Sequence, residues 1–249
     1  MPYHLPELLD YPITHAFSTK EDGNMSFKWG EEKIVKQNRA NFFTELKINP
    51  LFCVTSELIH GDKIIRVTKK DAGHGVLNND YQIQADGLIT NELGLNLFQV
   101  VADCLPILFY DPANKAIGLA HAGWRGTSQN IAGKTIAALV HEFKTKPADL
   151  IVGLGPSIHK CCFSYPEAKQ ESMPDWQPFI NKQVDKQTHV NNVGYNLWQL
   201  TSAGVEQENI FMSEFCTAHS GKFFSHYVDI KNKTPETRFV ALIGLPPDN

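Results

Sequence analysis

No stretch of the 249 residues is apolar for long enough to cross a bilayer as a helix. The opening MPYHLPELLDYPITHAF also lacks the basic segment and unbroken apolar run of a secretion signal. The expectation is therefore a soluble, cytoplasmic chain without a membrane partner. Charge of one sign is not in excess either. Lys and Arg number 23 against 27 Asp and Glu, a formal net charge of -4, which creates no global field to attract nucleic acid. Cysteine is sparse and odd in number: Cys53, Cys104, Cys161, Cys162 and Cys216. Such a set argues against a disulfide framework and leaves free thiols or metal ligation. Repeats and low-complexity linkers are absent too, which favours one domain over residues 1–249.

What is present suffices for a substantial core, since 42% of the side chains are hydrophobic and 10% aromatic. Short β-type runs recur as IIRVT, GLIT, LNLFQVV, PILFY, AIGLA, DLIVGLG and RFVALIG. Three-to-four spacing of apolar residues predicts helices over Lys33 to Leu46 and Thr127 to Phe143, and a third over Tyr195 to Ala203 that stops at Gly204. The mixture lacks a strict strand–helix alternation. It predicts an α/β (α+β) sandwich of mixed β-sheets flanked by helices. The stretch 166–190 reads as exposed helix and loop.

Chemistry concentrates in ADCLPILFYDPANKAIGLAHAGWRG. Asp111 to Lys115 has the composition of a turn, so the two flanking runs should pair antiparallel. A turn centred near Ala113 sets Cys104 opposite His121, with Cβ atoms roughly 4.5–5.5 Å apart if directly opposed. Gly123-Trp124-Arg125-Gly126 then leaves the strand, and Thr127 or Ser128 is a fitting N-cap for the next helix. Arg125 and free backbone N–H groups would form an anion site beside the Cys/His pair. A catalytic zinc takes three protein ligands, and His60, just before Gly61 and a strand, is the candidate third. The plain alternatives are a buried apolar thiol and hydrogen-bonded core histidines. Trp124 reads as a pocket wall or a core plug. Cys161-Cys162 and Cys216 read as packing residues, Asp86-Gly87 as a turn, and FFSHY as a strand carrying Phe224 and His226 on one face.

The blocks IHGDKI, ADGLIT, ADCLPILFYDP, IGLAHAGWRGT, GLGPSIHKCCF and FFSHY, in that order over nearly the whole chain, resemble the polyphenol oxidoreductase laccase, or laccase-domain, family. That family includes purine nucleoside phosphorylases and the bacterial peptidoglycan editing factor. The resemblance implies an α/β sandwich, with His60, Cys104 and His121 as zinc ligands and catalytic centre. It also implies phosphorolysis of adenosine, inosine, guanosine and methylthioadenosine, with adenosine deamination in addition. The alternative is a zinc amidase that removes a wrongly added amino acid from a UDP-muramoyl precursor. DGNMSFKWGEEKIVKQNR resembles the family segment that carries Asn38-Arg39. Arg39, Arg125, Trp124 and Asp103 are then candidates for binding substrate or phosphate, with Asp103 also a candidate proton shuttle. Leu58 and the sequence Ser225-His226-Tyr227-Val228 depart from the family pattern, which often has Gln and an Arg-Arg pair at these places. Copper oxidation is disfavoured, because a coupled copper cluster needs many imidazoles and no two of the ten histidines are spaced i, i+2. The expected partners are a purine nucleoside and phosphate, handled by a monomer or small homo-oligomer.

Overall fold

Along the strongest β runs every residue is apolar or buried, a pattern that requires a covered sheet on both faces. The computed structural model, which describes residues 1–182 and 186–247, supplies both covers. Its strands are β1 (Thr14–Phe17), β2 (Cys53–Thr55), β3 (Ile64–Arg66), β4 (Gly87–Thr90), β5 (Asn96–Val101), β6 (Leu105–Asp111) and β7 (Ala116–Ala122). They continue with β8 (Ile151–Leu154), β9 (Ser164–Tyr165), β10 (Ile180–Lys182), β11 (Thr188–Val190), β12 (Ile210–Met212) and β13 (Phe239–Gly244). The α-helices are α1 (Glu32–Glu45), α2 (Trp124–Ser128), α3 (Ile131–Phe143), α4 (Asn192–Ser202) and α5 (His226–Asn232).

Two mixed sheets, ordered β12-β8-β6-β7-β4-β3 and β1-β13-β5-β2, pack face to face. Leu108, Tyr110, Ile117 and Leu119 of the larger sheet meet Leu97, Phe239, Ala241 and Ile243 of the smaller one. The alternate residues point outward and are covered as well. Ile107, Phe109 and Ala120 pack under Ile131, Ile136 and Leu139 of α3 and Leu200 of α4. On the far side Phe98, Val240 and Leu242 pack under Phe42 and Phe43 of α1. The result is a four-layer α/β sandwich built on period-two strands whose two faces are both dry.

Several local expectations change. The helix expected over Thr127 to Phe143 is broken. Asn130 adopts φ 61° and its side chain accepts from the Gly133 N–H, so it caps α3 while α2 stands alone. Neither Thr127 nor Ser128 is an N-cap, a place Gly123 takes for α2. Within 166–190, β10 and β11 join the preceding β9 in a third small sheet over a core containing the buried Trp176 and Val190. Its residues 183–185 lie outside the described residues. FFSHY is not a strand either, because Ser225 caps α5 by accepting from the Val228 N–H at 3.2 Å, which puts His226 at the first helical position.

Candidate metal centre and its cavity

One end of the larger sheet gathers the starts of β4 and β6 and the ends of β7, β8 and β12. Cys104 immediately precedes β6 and His121 lies near the end of β7. The observed register pairs Pro106 with His121 and Leu105 with Ala122. Cys104 is thus diagonal to His121, two residues off the expected alignment but on the same sheet face, and diagonal neighbours still reach each other through their side chains. The loop after β2 brings in His60. Among the described residues, the ligand atoms of His60, Cys104 and His121 all lie within 4.8 Å of one another.

Asp86, which read as a plain turn residue, organises this arrangement. Its fully buried carboxylate accepts the His60 N–H at 2.9 Å, the Gly61 N–H at 2.7 Å and the His121 Nδ1–H at 2.9 Å. The first two bonds hold the backbone where His60 adopts φ 58°, a left-handed conformation unusual outside glycine. The third selects the His121 tautomer, since an ionised carboxylate can only accept, and leaves Nε2 as the lone-pair nitrogen. Burial pushes the Asp86 carboxyl upward, but His121 and the two backbone donors outweigh it and hold it below the usual range.

Cys104 and His121 perturb each other strongly. Burial opposes the thiolate, yet His121 and then His60 bring the Cys104 thiol down to about 6. Burial likewise opposes the imidazolium, but Cys104 and Asp86 raise His121 to about 9. A thiolate and two imidazoles form the mixed S/N set that zinc accepts at about 2.3 Å and 2.0–2.1 Å. Asp86 is the carboxylate that commonly orients a ligating histidine from behind. The residues present therefore fit a zinc ion with one open position. The close approach also requires Gly123, because a Cβ there would stand 3.0 Å from the Cys104 Sγ.

The centre opens into a cavity of about 400 Å³. Trp124, Phe163, Tyr165 and Tyr227 give it aromatic walls, and Arg125, Lys231 and His226 line it as well. Arg125 is exposed and stacks on Trp124 with Cζ 4.7 Å from the ring centroid, so Trp124 is a wall rather than a plug. His226 lies 2.8 Å through Nδ1 from Glu236 Oε2.

One assignment must be corrected. Arg39 is nowhere near the cavity: fully buried on α1, it donates to the carbonyls of Met25, Gly75 and Val76 and lies between the rings of Phe27 and Phe98. A guanidinium so buried and engaged fastens loops and does not face the cavity. Asp103 does line the cavity, but both carboxylate oxygens are committed, Oδ1 to the Thr217 hydroxyl at 2.5 Å and Oδ2 to the Tyr227 N–H at 2.6 Å. Burial nevertheless raises its carboxyl above the usual range. These two bonds tie the loops that carry Thr217 and Tyr227 to the cavity wall. Reading the cysteines one by one also missed a second group, because Cys161, Cys162, Cys216 and His219 bring their ligand atoms within 4.8 Å of one another. The signal was available as Cys-Cys followed downstream by Cys-x-x-His.

Residues 15–246 match the family described as multi-copper polyphenol oxidoreductase laccase. The chain belongs to this family. Within it, the chain is 33% identical over 229 residues to purine nucleoside phosphorylase YlmD of Geobacillus stearothermophilus, a match covering 89% of this chain and 82% of that protein. It is 35% identical over 163 residues to purine nucleoside phosphorylase LACC1 of Mus musculus, covering 63% of this chain but 38% of that longer protein. The solved structure of YlmD from Geobacillus stearothermophilus superposes with a TM-score of 0.87 at 31% identity, over 94% of this chain and 92% of that one. The laccase-domain fold is thus shared over almost the whole length. No helix among the described residues is long and apolar enough to cross a membrane.

Proposed function

We propose that this laccase-domain chain is a zinc-dependent purine nucleoside phosphorylase that also deaminates adenosine, with His60, Cys104 and His121 as the metal ligands. The observation that carries the reading is the convergence of these three ligand atoms within 4.8 Å of one another, beside an aromatic cavity lined by the exposed Arg125. Two relatives bearing the name purine nucleoside phosphorylase, over most of this chain in each case, support it.

The cavity volume falls in the range of small-molecule sites, roughly 300–1,000 Å³. Trp124, Tyr165 and Tyr227 present flat faces on which a purine can stack. Arg125, anchored on Trp124, offers the planar fork suited to phosphate. In phosphorolysis a phosphate oxygen bonds to C1′ as the C1′–N9 bond breaks, and the electron pair leaves with the base. Holding phosphate and nucleoside together removes much of the entropic cost of that encounter. The departing base needs a proton, which His226, a cavity-lining residue held by Glu236, would provide. Zinc, when bound, supplies Lewis acidity and an acidified water, the chemistry that attack on C6 of adenine requires.

The test is to incubate the zinc-loaded protein with adenosine and phosphate. Ribose 1-phosphate with adenine, and inosine from deamination, are expected, and Arg125→Ala should raise the KM for phosphate more than that for adenosine. No nucleoside turnover, with release of serine from UDP-muramoyl-serine, overturns the assignment in favour of the amidase.

A further inference from the structure

Of the four cysteines that take no part in the centre described above, three lie together. Cys161 and Cys162 lie on the loop after β8, whose turn is closed by the Cys162 and Phe163 N–H groups donating to the His159 carbonyl, both at 2.9 Å. Cys216 and His219 lie on the loop after β12. There the Cys216 carbonyl accepts from the N–H of His219 at 3.4 Å and of Ser220 at 3.0 Å, folding Cys-x-x-His into one turn. The two loops are joined by a parallel bridge between Ser157 and Cys216, with the Thr217 N–H donating to the Ser157 carbonyl at 3.0 Å. At the junction His219 Nδ1 lies 3.3 Å from Cys162 Sγ and 3.7 Å from Cys161 Sγ. The His159 N–H points at Cys216 Sγ from 3.4 Å, a backbone donor of the kind that stabilises a thiolate.

We infer that Cys161, Cys162, Cys216 and His219 form a second, structural zinc site that fastens the loop after β8 to the loop after β12. Four donors, three sulfur and one nitrogen, complete a closed tetrahedral Cys₃His set, in contrast to the three-ligand open centre at His60. Sulfur-rich donation selects zinc over hard cations such as magnesium or calcium. Cys216 is buried beneath, whereas Cys161 and His219 are exposed, so an ion can enter from solvent. The site has a consequence for the cavity. Ile158, on one of the fastened loops, lines it, and Thr217, on the other, holds Asp103 next to Cys104. A zinc ion here therefore sets the wall beside the first centre without touching substrate.

The inference is independent of the proposed reaction and is tested on metal content. The full-length protein, purified without added metal or chelator, is expected to carry two zinc ions per chain by elemental analysis. Cys104→Ala and a Cys162→Ser/Cys216→Ser double variant are each expected to retain one. Should the double variant fail to fold, cobalt loading of Cys104→Ala decides. That protein lacks the first centre's thiolate, so an intense tetrahedral d–d spectrum with sulfur-to-cobalt charge transfer is expected from the second set alone. A single zinc in the wild type that disappears in Cys104→Ala overturns the inference. So does an intact mass, after alkylation of the native protein, showing two of these cysteines joined as a disulfide.

Discussion

At the scale of single residues, the decisive group is one whose sequence context is bland. Asp86 precedes a glycine at a strand start, a setting that reads as a turn, and its three bonds reach residues 60, 61 and 121. Only tertiary structure reveals such a hub. Asp86→Asn keeps the size but removes the charge and turns an amide NH₂ toward backbone N–H donors, so it should weaken zinc binding about 10–100-fold, the usual effect of losing an orienting carboxylate. Competition against a chromophoric chelator measures this, with far-UV circular dichroism confirming the fold; an unchanged affinity would reduce Asp86 to a backbone clip. His60, Cys104 and His121 were legible as residue types with metal chemistry. Arg39 was misplaced because family likeness marks a segment as shared but does not say whether its arginine faces a ligand or three carbonyls.

At the scale of elements, legibility followed length and hydrophobic contrast. The long apolar runs became β5, β6, β7 and β13, whereas β1, β2 and β9 to β12, each of two to four residues, are too short to show a period. The Cys104–His121 hairpin was read with the right facing and the wrong neighbour, since a two-residue slip preserves which side a chain points to whereas a one-residue slip reverses it. Helix α2 is the element on which the centre's shape depends most tightly. Gly126 lies so near the carbonyl of Gly61 that a Cβ would stand 2.7 Å from that oxygen. The oxygen cannot retreat easily, because the Gly61 N–H is held by Asp86. Gly126→Ala should therefore displace α2 from the His60 loop, destabilise the protein by about 1–3 kcal/mol as overpacking does, and lower zinc content at the first centre. Thermal melting and elemental analysis together check it. Normal zinc content with an unchanged melting temperature would show that α2 has room to move.

At the scale of the whole molecule, two dry sheet faces and their helical covers make a rigid body, and the chemistry is confined to loops at one sheet end. The sandwich class was readable because strands and helices mix without a strict alternation; the third sheet was not, because its core is assembled from isolated residues such as Trp176 and Val190. The amino-terminal segment joins this body through His15 of β1. It is only 2% exposed, and its Nε2 lies 3.0 Å from the Leu5 N–H and 3.1 Å from the Leu5 carbonyl oxygen, so a protonated ring keeps one backbone acceptor but loses its hydration. Burial, reinforced by His4, holds His15 down at about 4, whereas an unfolded histidine titrates near about 6.5. Between these values the unfolded chain binds a proton that the folded chain refuses. The stability in question is thus fully present above about pH 6.5 and is lost as pH falls toward 4, by about 3 kcal/mol at most. His15→Gln supplies an uncharged acceptor in place of the ring and should flatten that part of the profile. Urea unfolding of both proteins at intervals from pH 7 to pH 4 measures it. Protonation of the metal ligands lowers both curves alike, so the difference between them isolates His15, and a difference that stays constant across the range would show that this histidine does not control acid stability.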